Sequence, residues 1–125
     1  PWTGKWNELW AAHAAAITFD LLTILMLLGI GWRIRGPGMG VVMAYAWTAW
    51  PFSTYALACN SNDTLVALMV AAALLVAARP VARGFMAAVG SMTKFASLIL
   101  LPLFATHGWH EHRVKTVVRY AVGVL

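Results

Sequence analysis

The sequence has 125 residues, 62% of them hydrophobic and only 10% charged, with a net charge of +5 and a mean hydropathy of +0.75. A soluble domain carries roughly one-quarter charged residues, so these values exclude an ordinary soluble fold and predict an integral membrane protein. The lysines and arginines fall mostly in short breaks between apolar runs and form no stripe, which speaks against nucleic acid as a partner and fits the basic bias of cytoplasmic loops.

A helical crossing of the hydrocarbon core takes about 20 residues, so four or five helical segments fit in this length. The expected fold is all-α, a polytopic transmembrane helix bundle in which residues 1–125 form a single module. The chain opens on Pro1 with no initiator Met and no signal-peptide pattern, and it reads as an internal piece of a longer protein. Its one cysteine, Cys59, allows no intrachain disulfide.

Residues 1–10 place Trp2, Trp6 and Trp10 beside Lys5 and Glu8, the composition of a chain entering the headgroup region. Residues 11–32 then form the first expected helix, about 33 Å long and apolar except for His13, Asp20 and a few Thr and Gly. Arg33 and Arg35 with Gly36-Pro37-Gly38 predict a turn on the cytoplasmic side over 33–38. The second helix, 39–59, carries Pro51, which removes a backbone donor and predicts a kink or helix end near Trp50. Trp47, Trp50, Phe52 and Tyr55 lead into the polar run Asn60-Ser61-Asn62-Asp63, placed outside by alternation.

Asn62 or Asp63 can cap a third helix over 63–78, since a short side-chain acceptor satisfies orphan amides and a negative charge suits a helix N-terminus. Arg79 to Arg83 predict a second cytoplasmic turn. Residues 84–105 read in two ways. A single span would hold the Lys94 ammonium near the bilayer midplane, which is costly; a hairpin of half-length helices, 84–93 and 95–105, would put Lys94 at its tip inside a protein-lined cavity. The basic stretch from His107 to Lys115 favours the hairpin, and 116–125 starts another helix.

Several residues carry chemistry under one reading and structure under another. Asp20 is the acidic residue inside an expected span; it is either a site-edge carboxylate, or protonated or hydrogen-bonded to a neighbouring helix that it helps to hold. His13, two helical turns earlier, is too distant for direct contact with Asp20 and suits the interface. Lys94 can hold a phosphate as a point charge, snorkel, or pair with Asp20 or Asp63. A cap uses one side chain of the run 60–63 and leaves Asn60, Asn62 and Asp63 available to a polar head group at the outer surface. His110-Glu111-His112 lacks metal-ligand spacing and reads as a solvated loop.

An internal Asp in Ala15-Ala16-Ile17-Thr18-Phe19-Asp20-Leu21-Leu22-Thr23, an Arg-rich turn, Ala-Trp-Thr-Ala-Trp-Pro-Phe at 46–52, Tyr55-Ala56-Leu57, the polar run 60–63, Thr93-Lys94-Phe95 and Leu101-Pro102-Leu103-Phe104 follow one another in order. This ordered set, over roughly residues 6–106, resembles the actinobacterial polytopic glycosyltransferases of the GT-C superfamily, above all the mannosyltransferase-like proteins of glycosyltransferase family 87. The resemblance implies transfer of a sugar, mannose by that likeness, from a polyprenyl-phosphate donor to a glycan or glycolipid acceptor at the outer membrane face. It implies no cofactor beyond the lipid-linked sugar and no metal. Asp63 and its neighbours match the outer polar segment near the donor, and Lys94 matches the lysine that approaches the lipid phosphate. In that superfamily the catalytic acid lies in the first outer loop, and this chain starts downstream of it, with Glu8 the acidic residue of the lead-in. The chain is therefore expected to be inactive alone. The competing classes are a transporter or channel segment with an Asp20/Lys94 charge pair, and a structural membrane subunit.

Overall fold

A computed structural model describes residues 7–59, 63–106 and 113–125. Among them the chain forms seven α-helices and one 3-10 helix, with no strand. Two compact units divide the chain, Pro1–Leu65 and Val66–Leu125.

In the first unit, α1 (Asn7–Arg35) runs for 29 residues, about 43 Å at 1.5 Å per residue. Its segment Trp10–Arg35 contains an 18-residue window of mean hydropathy 2.0 and is, among the described residues, the one helix long and apolar enough to cross a membrane. α1 outruns the expected 11–32 at its C-terminal end because Arg33 and Arg35 are good helix formers whose charge favours the dipole there. It stops at Gly36, whose φ of +87° suits a residue without a Cβ. Ile17, Leu21 and Leu25 point outward, while Ala16, Asp20 and Thr23 are buried. That is the reverse of a soluble helix. The buried Thr23 hydroxyl donates to the Phe19 carbonyl at 2.8 Å, so it needs no water.

α2 (Pro37–Ala49) returns along α1. Their backbones nearly touch: a Cβ on Gly31 would lie 2.5 Å from the Gly40 Cα, and one on Gly40 would lie 2.6 Å from the Leu28 carbonyl oxygen. With the buried Ala44 one turn further along α2, these residues form the small-residue seam by which membrane helices pack closely.

α2 ends at Ala49 and α3 (Pro51–Ala58) begins at Pro51, with Trp50 extended between them. The break expected near Trp50 is thus a helix end. Pro51 has no N–H, so the Trp47 carbonyl loses its i+4 donor and accepts from the Trp50 N–H at 3.2 Å instead. The Ser53 hydroxyl sits 2.8 Å from that carbonyl oxygen and 2.6 Å from that of Trp50, so one proton is shared between two acceptors.

The unit boundary falls after Leu65, inside α4 (Asp63–Leu75). α4 stops short of the expected 78 because its end tightens: Ala77 N–H donates to Leu74 at 3.1 Å and Arg79 N–H to Val76 at 2.8 Å. Arg79 is extended, as a residue before proline prefers. α5 (Pro80–Thr93) then starts at Pro80, earlier than the expected 84, since proline suits the first helical position.

Arg83 therefore lies inside a helix and not in the turn expected over 79–83. It is 1% exposed. Its Nη1 donates to the Ala77 carbonyl, left over by the tightened end of α4, and its guanidinium lies 5.6 Å from the Tyr120 ring centroid.

Beyond α5 the chain breaks at Lys94, whose backbone is extended (φ −153°, ψ 124°). It folds back against α5 through the 3-10 helix Phe95–Leu100 and then α6 (Leu101–Thr106). The buried Ser97 hydroxyl ties the reversal, 2.7 Å from both the Gly90 and the Lys94 carbonyl oxygens. α7 (Arg113–Val124), which begins ahead of the expected 116, packs on α5. A Cβ on Gly84 would fall on the Tyr120 carbonyl oxygen, and one on Gly123 on that of Val81. Ala73, Ala87, Phe104 and Tyr120 form the core here, and the Tyr120 hydroxyl donates to the Leu101 carbonyl at 3.2 Å.

Candidate functional site

The helix end at Trp50 shapes two cavities of the first unit. Trp47 and Trp50 close α2, and Phe52 and Tyr55 open α3, so four aromatic side chains crowd around one break. They line a pocket of about 280 Å³ with Ser53 and Ala56 and with Asp63 and Thr64 from the start of α4. The Trp50 and Phe52 rings lie 6.1 Å apart, tilted by 32°, and both are more than half exposed. Asp63 is exposed in the first turn of α4, where the helix dipole favours a negative charge.

Open aromatic faces beside a carboxylate suit a sugar. The negative π face attracts the polarised C–H bonds of a pyranose ring, and a carboxylate accepts hydrogen bonds from vicinal hydroxyls more strongly than a neutral acceptor does.

Trp47 and Trp50 also wall a second cavity of about 360 Å³, lined otherwise by Leu27, Met43 and Ala46. This groove is apolar throughout its lining. Behind the shared wall, Trp47 Nε1–H donates to Asp20 Oδ1 at 2.8 Å. Asp20 is 9% exposed.

Of the residues singled out in the sequence, Asp20 and Asp63 both belong to the surroundings of Trp47, one by a hydrogen bond and one by a shared pocket. Asp20 is thus hydrogen-bonded to a neighbouring helix, one of its two expected uses. Lys94 belongs to the second unit, exposed at the reversal after α5, with its N–H donating to the Gly90 carbonyl at 3.2 Å. His13 is half-buried in α1. Asn60, Asn62 and the His110-Glu111-His112 run lie outside the described residues.

Sequence reasoning read the aromatic residues at 47–55 as an interfacial zone and missed them as a pocket lining. The signal was two aromatic pairs, each spaced three residues apart, on either side of a proline. It also missed buried Arg83. Burial lowers the Arg83 pKa and Tyr120 opposes the shift; a guanidinium remains charged throughout.

A helical chain with a membrane-length helix and a carboxylate set among exposed aromatic rings has the features of a membrane-associated carbohydrate-handling protein. The family model of glycosyltransferase family 87 matches residues 7–125, and the chain belongs to that family. The chemistry of the class is transfer of a sugar from a glycosyl donor to an acceptor. No curated protein and no solved structure matches the chain significantly.

Proposed function

We propose that this chain is part of an integral membrane glycosyltransferase that moves mannose from a polyprenyl-phosphate donor to a glycan or glycolipid acceptor at the outer membrane face. In this reading residues 1–125 form one multi-pass module, with 60–63 outside and 33–38 and 79–83 cytoplasmic. The aromatic pocket takes a pyranose ring, and Asp63, with Asn60 and Asn62, accepts and orients its hydroxyls. Lys94 neutralises the phosphate that leaves with the polyprenol, and the lipid-linked sugar needs no further cofactor. Asp20 supports the site from behind Trp47.

The supporting observation is the Asp63 carboxylate on a pocket lined by Trp47, Trp50, Phe52 and Tyr55, in a chain of a sugar-transferring family. A polar group aimed at developing phosphate charge contributes about 10²–10³ in rate. Lys94→Met in the full-length protein should therefore lower transfer from polyprenyl-phosphomannose by at least about 100-fold while membrane levels hold. Unchanged transfer would remove Lys94 from the site, and absence of any mannose transfer by the unaltered protein would overturn the reading itself.

A further inference from the structure

The position of Asp20 raises a question that its chemistry does not answer directly. A carboxylate in a long apolar helix is costly and is retained where it does something specific. Asp20 lines neither of the two cavities described above. The close backbone approach of α1 and α2 at Gly31 and Gly40 does not involve it. Its carboxylate accepts from the Trp47 indole N–H at 2.8 Å.

Trp47, together with Trp50, is where these two cavities meet. It lines the apolar groove with Leu27 and Met43, and it lines the pocket that carries Asp63. An indole has one hydrogen-bond donor, and anchoring it fixes both side-chain torsions and forbids the flipped ring. A freely rotating indole would open or close one cavity at the expense of the other. Its last backbone turn is constrained too, since the Trp47 carbonyl accepts from Ser53.

We propose that Asp20 is a positioning residue that holds the Trp47 indole as a fixed partition between an apolar groove and a carboxylate-bearing pocket. A donor with an apolar chain on one side and a sugar on the other is then bound in one register across the partition. The inference rests on the transferase reading for the identity of that donor, but the hydrogen bond and its consequence for Trp47 do not depend on it.

The test uses the full-length protein, labelled with ¹⁵N-indole tryptophan and held in lipid nanodiscs. Trp47→Phe assigns the Trp47 indole resonance by its loss. That resonance should shift in Asp20→Ala and keep its hydrogen-bonded position in Asp20→Asn, which retains the acceptor oxygen. An indole resonance unmoved by Asp20→Ala overturns the proposal with no donor present, and so independently of whether mannose is transferred.

Kinetics with polyprenyl-phosphomannose supply the second arm. Asp20→Ala should raise KM about tenfold and leave kcat within about twofold, and Asp20→Asn should restore KM. In the Trp47→Phe background Asp20→Ala should add less than about twofold, because a residue acting through another has nothing left to position. Multiplying effects, or an Asp20→Asn as damaging as Asp20→Ala, overturn the proposal. Should Asp20→Ala fail to accumulate in membranes, Trp47→Phe alone must reproduce the KM rise.

Discussion

Among the described residues, each unit buries one acidic or basic side chain, and the two are used differently. Arg83 in the second unit meets the Ala77 carbonyl and the Tyr120 ring, both parts of the same fold. Asp20 in the first unit meets Trp47, whose other faces line two cavities. The expense of burying a polar group is similar in kind, but Arg83 secures a helix end, whereas Asp20 holds the wall of the proposed binding site. Burial alone therefore does not identify a functional residue; what its partner faces does.

Substitutions at the close backbone contacts should break this contrast most severely. Gly84→Leu drives a side chain into the Tyr120 carbonyl oxygen and the Gly123 backbone, and overpacking of this sort costs about 1–3 kcal/mol or more. The expected outcome is a large loss of folded protein in membranes, measured by quantitative immunoblotting after detergent extraction.

Asp63→Ala should act on the other side of the comparison. Losing one hydrogen bond to a charged acceptor costs about 1.5–3 kcal/mol, which is roughly 10- to 150-fold in transfer rate. Its melting temperature in detergent should hardly move, since Asp63 is exposed.

Arg83→Met should give the converse, a loss of about 1.5–3 kcal/mol in stability from the uncapped carbonyl and missing ring contact. The donor KM of the folded fraction should stay at its original value. A raised KM would mean that the second unit's buried cation also shapes a site.

The smallest effect is expected at Tyr55→Phe, which keeps the ring in the pocket and removes one hydroxyl. About 0.5–1.5 kcal/mol, or a 2- to 12-fold fall in transfer, would mark that hydroxyl as a contact. No change would leave the pocket's aromatic faces as its working part.

The helical class was legible because apolar runs and prolines mark helices without any tertiary information. Pro37, Pro51 and Pro80 each begin a helix, and the chain breaks just before each. The buried guanidinium was not legible. Two arginines around a proline read as a basic turn, and only the orphan Ala77 carbonyl at the end of α4 explains why Arg83 turns inward. The 3-10 segment after Lys94 was likewise hidden, because Ser97 ties the reversal through carbonyls that composition does not mark. At the candidate site, Asp63 and Asp20 stood out as charges in apolar surroundings. The Asp20–Trp47 pair spans 27 residues, and which indole faces which carboxylate depends on how α1 and α2 are rotated against each other.

The shared proton of Ser53 has a consequence for hydration. A helix interrupted by proline normally invites a water molecule to the abandoned carbonyl, and hydrocarbon does not supply one. Here the oxygens of Trp47 and Trp50 each keep a backbone donor, the Trp50 N–H at 3.2 Å and the Ser53 N–H at 3.1 Å, and the Ser53 hydroxyl adds a further contact to both, so the chain can change direction in a greasy environment and remain dry. Ser53→Ala would leave those backbone donors in place and open the remaining lone pair of each oxygen to water, beside the rings on which the proposed sugar would rest.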